Sequence, residues 1–177
     1  YFDFQHDSTK SYNEFTPQGE LHWTRNKYNK KRSCIYKVIK AVGGWKPITF
    51  IGLAEIENEF VLSDLINSTP LSKYTYKYVH YDSDDVRGID VGLIYNSDDF
   101  LLLYSDNIKI VDPGNDEFNT RDLLYVKGLL SKDTIHIIVN HWTSRYRGYL
   151  ESEPLRMLAA ATLIKLSDSI CSINNNA

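Results

Sequence analysis

Cysteine is almost absent. Cys34 and Cys171 are the two thiols in 177 residues, and a pair so far apart in sequence makes no disulfide framework. Positive charge is not in surplus either. Twenty Lys and Arg stand against 23 Asp and Glu, for a net charge of −3, which excludes binding nucleic acid by bulk charge alone. No apolar run approaches the length of a membrane span. No signal peptide is recognisable, but the sequence starts at Tyr1 without a Met, so the compartment, cytoplasmic or exported, is left open. There is no internal repeat, and Gly43-Gly44 lacks the following Lys-Ser/Thr of a phosphate-binding P-loop. What is present is 42% hydrophobic and 24% charged, enough for one α/β domain with a real core.

Two stretches change character abruptly. Thr134-Ile135-His136-Ile137-Ile138-Val139 is the β-branched, apolar run a buried strand needs. It is followed at once by Asn140, His141, Ser144 and Arg145. Polar groups gathered at a strand end are placed to meet a ligand, because the strand fixes them and the loop leaves room. The second stretch, Ile48-Thr49-Phe50-Ile51-Gly52-Leu53-Ala54, runs straight into Glu55, Glu57 and Asn58. With no turn residue before it, Glu55 should occupy the last rung of its strand and face a cleft. A hard cation such as Mg²⁺ takes a few carboxylate oxygens and keeps waters for a substrate phosphate. One rigid Glu is the least a protein can contribute to such a site.

The rest of the chain punctuates itself. Residues 1–22 read as an irregular loop anchored by Phe2, Phe4, Tyr12 and Phe15, with Asp3 a loop residue. Thr24 should cap a helix over 24–42, stopped by Gly43-Gly44. Its outer face carries Arg25, Lys27, Lys30, Lys31 and Arg32, which reads either as a phosphate-binding surface or as a solvated face. A short helix is expected over 59–67, ended by Thr69-Pro70. Strands are expected over 74–81, 89–95, 123–126 and 135–139, with a hairpin of 100–104 and 108–111 turning at Ser105-Asp106-Asn107. The tyrosines of 74–81 serve either base stacking or sheet packing. Ser83-Asp84-Asp85 forms an acidic loop before Arg87-Gly88. A last helix over 152–170 should bury Leu155, Leu158, Ala159, Thr162, Leu163, Leu166 and Ile170, leaving Met157 off the stripe.

Four strings in order carry a family resemblance: Gly-Leu-Ala-Glu-Ile-Glu-Asn at 52–58, Arg-Gly-Ile-Asp-Val-Gly-Leu-Ile-Tyr at 87–95, Thr-Arg-Asp-Leu-Leu-Tyr-Val-Lys-Gly at 120–128 and Val-Asn-His-Trp-Thr-Ser-Arg at 139–145. Together they resemble the endonuclease/exonuclease/phosphatase superfamily, the metal-dependent phosphoesterases that include pancreatic deoxyribonuclease. The resemblance implies an α/β fold, part of a four-layered α/β/β/α sandwich, here about one mostly antiparallel sheet with flanking helices. It implies hydrolysis of phosphodiester or phosphomonoester bonds with Mg²⁺, or Mn²⁺ as the alternative. Glu55 becomes the metal ligand. His141 becomes the group that donates to a phosphate oxygen or moves a proton. Arg121 resembles the family's phosphate-contacting arginine, and Asn140 and Arg145 add donors beside it; a guanidinium fork suits phosphate oxygens. An imidazole needs a carboxylate to fix its tautomer, and Asp90 is expected to supply it, the alternative being an ion pair of Asp90 with Arg87.

Other parts of the family pattern are not found. Its first-strand Asn-x-Glu-Asn would precede Tyr1, and neither the Gly-Asp-x-Asn motif nor the closing Asp-His pair occurs in 146–177. Residues 1–177 are therefore expected to be one partial domain, lacking its first strand and C-terminal half and inactive alone. Its strands, apolar on both sides, should leave one sheet face for the rest of the protein or a second copy. The competing reading is a non-catalytic binding module on the same fold. Substrate choice, from nucleic acid to small phosphoesters, is open.

Overall fold

Thr24 opens the first helix and Gly44 closes it. The computed structural model describes residues 13–85, 87–115, 118–145 and 148–173, and α1 spans Arg25–Gly43. The Thr24 hydroxyl accepts from Lys27 N, and Gly44, at φ +59, donates its N–H to Lys40 O, the left-handed stop that glycine adopts without cost. Phe2, Phe4, Tyr12, Asp3 and the asparagines at 174–176 lie outside the described residues.

The following elements are β1 (Phe50–Ile56), α2 (Glu59–Asn67), a 3-10 turn (Pro70–Lys73), β2 (Tyr76–His80), β3 (Asp90–Asn96), β4 (Phe100–Ile108), β5 (Leu123–Leu130), β6 (Asp133–Val139) and α3 (Tyr149–Ile173). Asn58 caps α2 by accepting from Val61 N at 3.2 Å, satisfying one of the orphan donors of the first turn. The strands form two antiparallel sheets of three, ordered β1-β3-β2 and β4-β5-β6.

The layers follow from alternation along each strand. On one side of the first sheet Ile51, Ile56, Tyr76 and Ile94 pack with Val61, Leu62 and Leu65 of α2 and with Tyr28 and Ile39 of α1. On its other side Val79, Val91, Leu93 and Tyr95 meet Phe100, Leu124 and Val126 of the second sheet, with Phe50, Ile135, Ile137 and Val139 around them. Behind the second sheet, Leu123 and Ile138 pack with Leu158, Ala159 and Leu163 of α3. The order is helix, sheet, sheet, helix. Each fully buried aliphatic in these layers contributes roughly 1.5–3 kcal/mol relative to exposure.

Four expectations are corrected. The strands divide into two sheets rather than one. The inner sheet face, expected to lie open or to be covered by another polypeptide, is covered by the chain's own second sheet. Residues 100–111 make no hairpin: Ser105, Asp106 and Asn107 continue β4 by pairing with Val126, Tyr125 and Leu124, and the irregularity in that strand is a bulge between Leu102 and Tyr104. Finally, α3 begins at Tyr149, not Ser152. Ser152 Oγ donates to Gly148 O at 2.5 Å, and Pro154 is close enough to the start to be tolerated.

The basic face of α1 is partly engaged. Arg32 pairs with Asp64 of α2, which also accepts from Tyr28 Oη and Ser68 Oγ. Lys27 Nζ donates to Leu21 O at 2.7 Å. Among the described residues no helix is long and apolar enough to cross a membrane.

Candidate functional site

The regular pairing of β1 with β3 breaks at Glu55. Ala54 faces Val91 and Ile56 faces Asp90, so two residues of β1 oppose one of β3, which is a β-bulge. Glu55 itself has φ +58. For an L-residue other than Gly or Asn the left-handed region costs about 1–2 kcal/mol, and bulges re-aim side chains next to functional sites. The Glu55 side chain, 62% exposed, points its Oε1 to within 3.9 Å of His141 Nε2.

His141 reaches that position from the other sheet. Val139, at the end of β6, would touch a side chain on Gly52 of β1 at 3.6 Å. The two strands thus approach across the sandwich, and the residues after each converge on one rim. His141 is a quarter exposed through its side chain, and its Nδ1 is buried with no hydrogen-bond partner among the described residues. Burial holds the imidazole below the ordinary histidine pKa, and the Arg121 and Arg87 charges add to that; Glu55 and Asp85 oppose it. His141 is therefore a neutral imidazole at neutral pH.

Arg121 stands behind His141. Its side chain is 4% exposed, its Nε donates to the His141 carbonyl oxygen at 3.2 Å, and its Nη1 lies 3.6 Å from Asp85 Oδ2. Burial lowers the guanidinium's pKa while Asp85 raises it. Asp85 is buried too. It accepts from Arg87 N at 2.9 Å and from the Arg87 side chain at 3.4 Å, while its carbonyl receives Gly88 N in a turn where Gly88 has φ +63. Asp122, next to Arg121, accepts from Asn107 Nδ2 at 2.9 Å, and burial raises its pKa.

The structure thus brings Glu55, His141 and Arg121 together. Asp90 goes elsewhere: its Oδ1 accepts from Ser83 N at 3.0 Å and from Ser83 Oγ, and its Oδ2 faces His80 Nε2 at 3.7 Å. Among the described contacts, the carboxylate facing His141 is that of Glu55, and the carboxylate paired with Arg87 is that of Asp85. Asn140 is half-buried beside His141. Arg145 is exposed and lies over the Tyr149 ring at 5.4 Å. Asp85, Ser83 and His80 were not singled out from the sequence. The signal was there for Asp85, since an Asp two residues before Arg87 and followed by Gly88 is a side-chain-to-backbone turn.

Chemically, this rim offers an open carboxylate, a neutral imidazole facing it, and a buried guanidinium fixing the imidazole's backbone. Glu55 lies in the last part of β1, and Arg121 and His141 each lie two residues outside a strand, before β5 and after β6.

The sequence profile of the Endonuclease/Exonuclease/phosphatase family matches residues 1–177. Among curated protein sequences, none matches the chain. Among solved structures, the human Nocturnin catalytic domain with bound sulfate anion is similar over 81% of this chain and 52% of its own, at 18% identity and a TM-score of 0.58. The humanized D. rerio TDP2 carrying 14 mutations is similar over 70% of this chain and 47% of its own, at 15% identity and a TM-score of 0.50. The chain spans about half the length of these structures, and at such identities the likeness concerns the fold.

Proposed function

Because the chain belongs to the endonuclease/exonuclease/phosphatase family, we propose that the rim formed by Glu55, His141 and Arg121 is part of the active site of a metal-dependent phosphoester hydrolase, with nucleic-acid phosphodiesters as the substrate class. One observation carries the reading. Two side chains that phosphoester hydrolysis needs, a carboxylate and a neutral imidazole, face each other at 3.9 Å from different sheets, and one of them is held by a strained bulge. Strain of this kind persists only where the surroundings impose it, and it gathers at working sites.

The donor at the rim fits a hard cation. Glu55 offers carboxylate oxygens on a fixed backbone, open to water, and Mg²⁺ or Mn²⁺ is commonly held by one or two carboxylates with waters retained. A cation bound there supplies positive charge to the phosphoryl oxygens and acidifies a bound water. The chain's own residues do the rest. His141, neutral and with Nε2 facing Glu55, donates a hydrogen bond to a phosphate oxygen or takes up the proton released by the attacking water. Arg121 is a positioning residue: nearly fully buried, it fixes the His141 backbone and adds a constant positive field. Asn140 and the exposed Arg145 lie on the same segment as His141 and provide donors to the phosphate. The sulfate in the Nocturnin structure is a tetrahedral oxyanion, like the group this rim would receive.

The test is hydrolysis of bis-(p-nitrophenyl) phosphate by the full-length protein across Mg²⁺ and Mn²⁺ titrations, with p-nitrophenyl phosphate as the monoester control. Divalent-dependent cleavage of the diester is expected. Glu55→Gln should lower turnover roughly 10²-fold or more, and His141→Ala about 10²–10⁴-fold. A Glu55→Gln protein as active as the parent at saturating metal refutes the assignment.

A further inference from the structure

On the helix-facing side of the first sheet, a second group of ligating side chains converges. His80 is the last residue of β2 and pairs with Gly92, so Asp90, two residues before Gly92, lies diagonally across on the same face. Asp82 continues that face beyond the end of β2. One donor atom from each of the three lies within 4.8 Å of the other two. His80 Nε2 is 3.7 Å from Asp90 Oδ2, and His80 Nδ1 is 3.9 Å from Asp82 Oδ1. These separations are too long for hydrogen bonds. Of the two, the Nε2–Oδ2 separation is the one an ion on Nε2 would span, and it is near the spacing of about 3.4 Å between donors placed tetrahedrally around an ion at 2.0–2.1 Å.

Two features set this group apart from an ordinary acidic surface. The His80 side chain is 4% exposed and its Nε2 has no hydrogen-bond partner among the described residues, an unfavourable state for a buried polar atom. Asp90 is equally buried, and Ser83 donates twice to its Oδ1, which turns Oδ2 toward the imidazole. Asp82, in contrast, is 80% exposed and leaves an entry path. Burial holds His80 below the ordinary histidine pKa, although Asp82 and Glu59 pull it up.

We propose that His80, Asp82 and Asp90 form a second cation site, for a borderline divalent ion of the zinc class. One imidazole nitrogen with two carboxylate oxygens suits Zn²⁺ better than Mg²⁺, which prefers all-oxygen shells. The site does not depend on the reading given to Glu55 and His141. Its place in the fold gives it a role, because Asp90 faces Ile56, the residue after the bulged Glu55. An ion there ties the end of β2 to the start of β3 and stiffens the strand end that carries Glu55.

The experiment titrates ZnCl₂ into the metal-stripped chain carrying Glu55→Gln and His141→Ala, which removes the other facing carboxylate and imidazole. Calorimetry and ¹⁵N-edited imidazole spectra are the readouts. One equivalent of Zn²⁺ is expected, with the His80 Nε2 resonance moving to a metal-bound position. Asp82→Asn, an exposed change that spares folding, should weaken binding at least about tenfold, and MgCl₂ should leave the His80 signal in place. His80→Asn should abolish binding; if that variant does not fold, the His80 resonance and Asp82→Asn decide. No Zn²⁺ uptake overturns the proposal. So does uptake that leaves the His80 resonance unmoved or is insensitive to Asp82→Asn, and so does a His80 protonated at neutral pH that Zn²⁺ does not displace.

Discussion

Glu55 Oε1 and His141 Nε2 stand 3.9 Å apart, although they leave from the ends of strands in different sheets. What joins them is the approach of the two strands across the sandwich, with Val139 of β6 beside Gly52 of β1. The geometry of the rim is thus a property of the sandwich, and local sequence alone does not produce it.

The bulge makes a claim that can be measured without substrate. Glu55 is held at φ +58, where glycine pays no steric penalty and alanine pays about 1 kcal/mol or more. Glu55→Gly should therefore be more stable than Glu55→Ala by about 1 kcal/mol, the reverse of the usual order in a strand. Urea unfolding of the two variants checks it. An alanine variant at least as stable as the glycine variant means the bulge is not strained.

Arg121 and Asp85 are both buried and 3.6 Å apart. Replacing Arg121 by Met leaves the Asp85 carboxylate without its buried countercharge, and breaking such a pair costs about 3–5 kcal/mol. Adding Asp85→Asn to Arg121→Met should recover part of that loss, because the stranded charge goes with it. A double-mutant cycle by chemical denaturation measures the coupling. Strict additivity would show that the two groups do not sense each other.

Gly128 of β5 has no room for a side chain. A Cβ there would lie 2.2 Å from Phe100 Cζ and 2.4 Å from the Leu101 carbonyl oxygen, whereas at Gly52 it would make only ordinary contact with Val139. Gly128→Ala should cost about 3 kcal/mol or more, at or beyond the usual range for overpacking because one obstacle is backbone. Gly52→Ala should change stability by less than about 1 kcal/mol. The difference in thermal midpoint between the two variants is the readout.

Much of this architecture was legible in the sequence. Thr24 and Gly44 announce the ends of α1 by their chemistry, and the apolar runs ending at Glu55 and Asn140 announce two strand ends with polar cargo. What could not be read depends on distant partners. Ser105, Asp106 and Asn107 have turn chemistry, and only pairing with β5 makes them strand. Glu55 has no local propensity for the left-handed region, so the bulge is imposed by β3. Asp85 has turn chemistry that the sequence shows, but its pairing with Arg121 depends on the segment before β5 arriving against it. Asp90 lies among charges of both signs, and its choice of Ser83 and His80 is settled by side-chain directions across β2 and β3.

The last prediction concerns acid. His136, on the outer face of the second sheet, stacks on Tyr125 with ring centroids 5.9 Å apart. Its Nδ1 meets the Tyr125 hydroxyl at 2.7 Å, and its Nε2 is buried without a partner among the described residues. Burial, with the nearby Lys127 charge, holds its pKa below the ordinary value of 6.5. The sign follows directly. Between that lowered value and 6.5 the unfolded chain binds a proton that the folded chain refuses, so stability rises with pH across this window and falls as acid is added. In metal-stripped protein His80 and His141 act in the same direction, since burial lowers both. The urea midpoint should be lower at pH 5.5 than at pH 7.5, and His136→Gln, which cannot take up the proton, should narrow the gap. A gap equally wide in His136→Gln would show that the ring titrates alike in both states, and that its burial against Tyr125 has no hold on its charge.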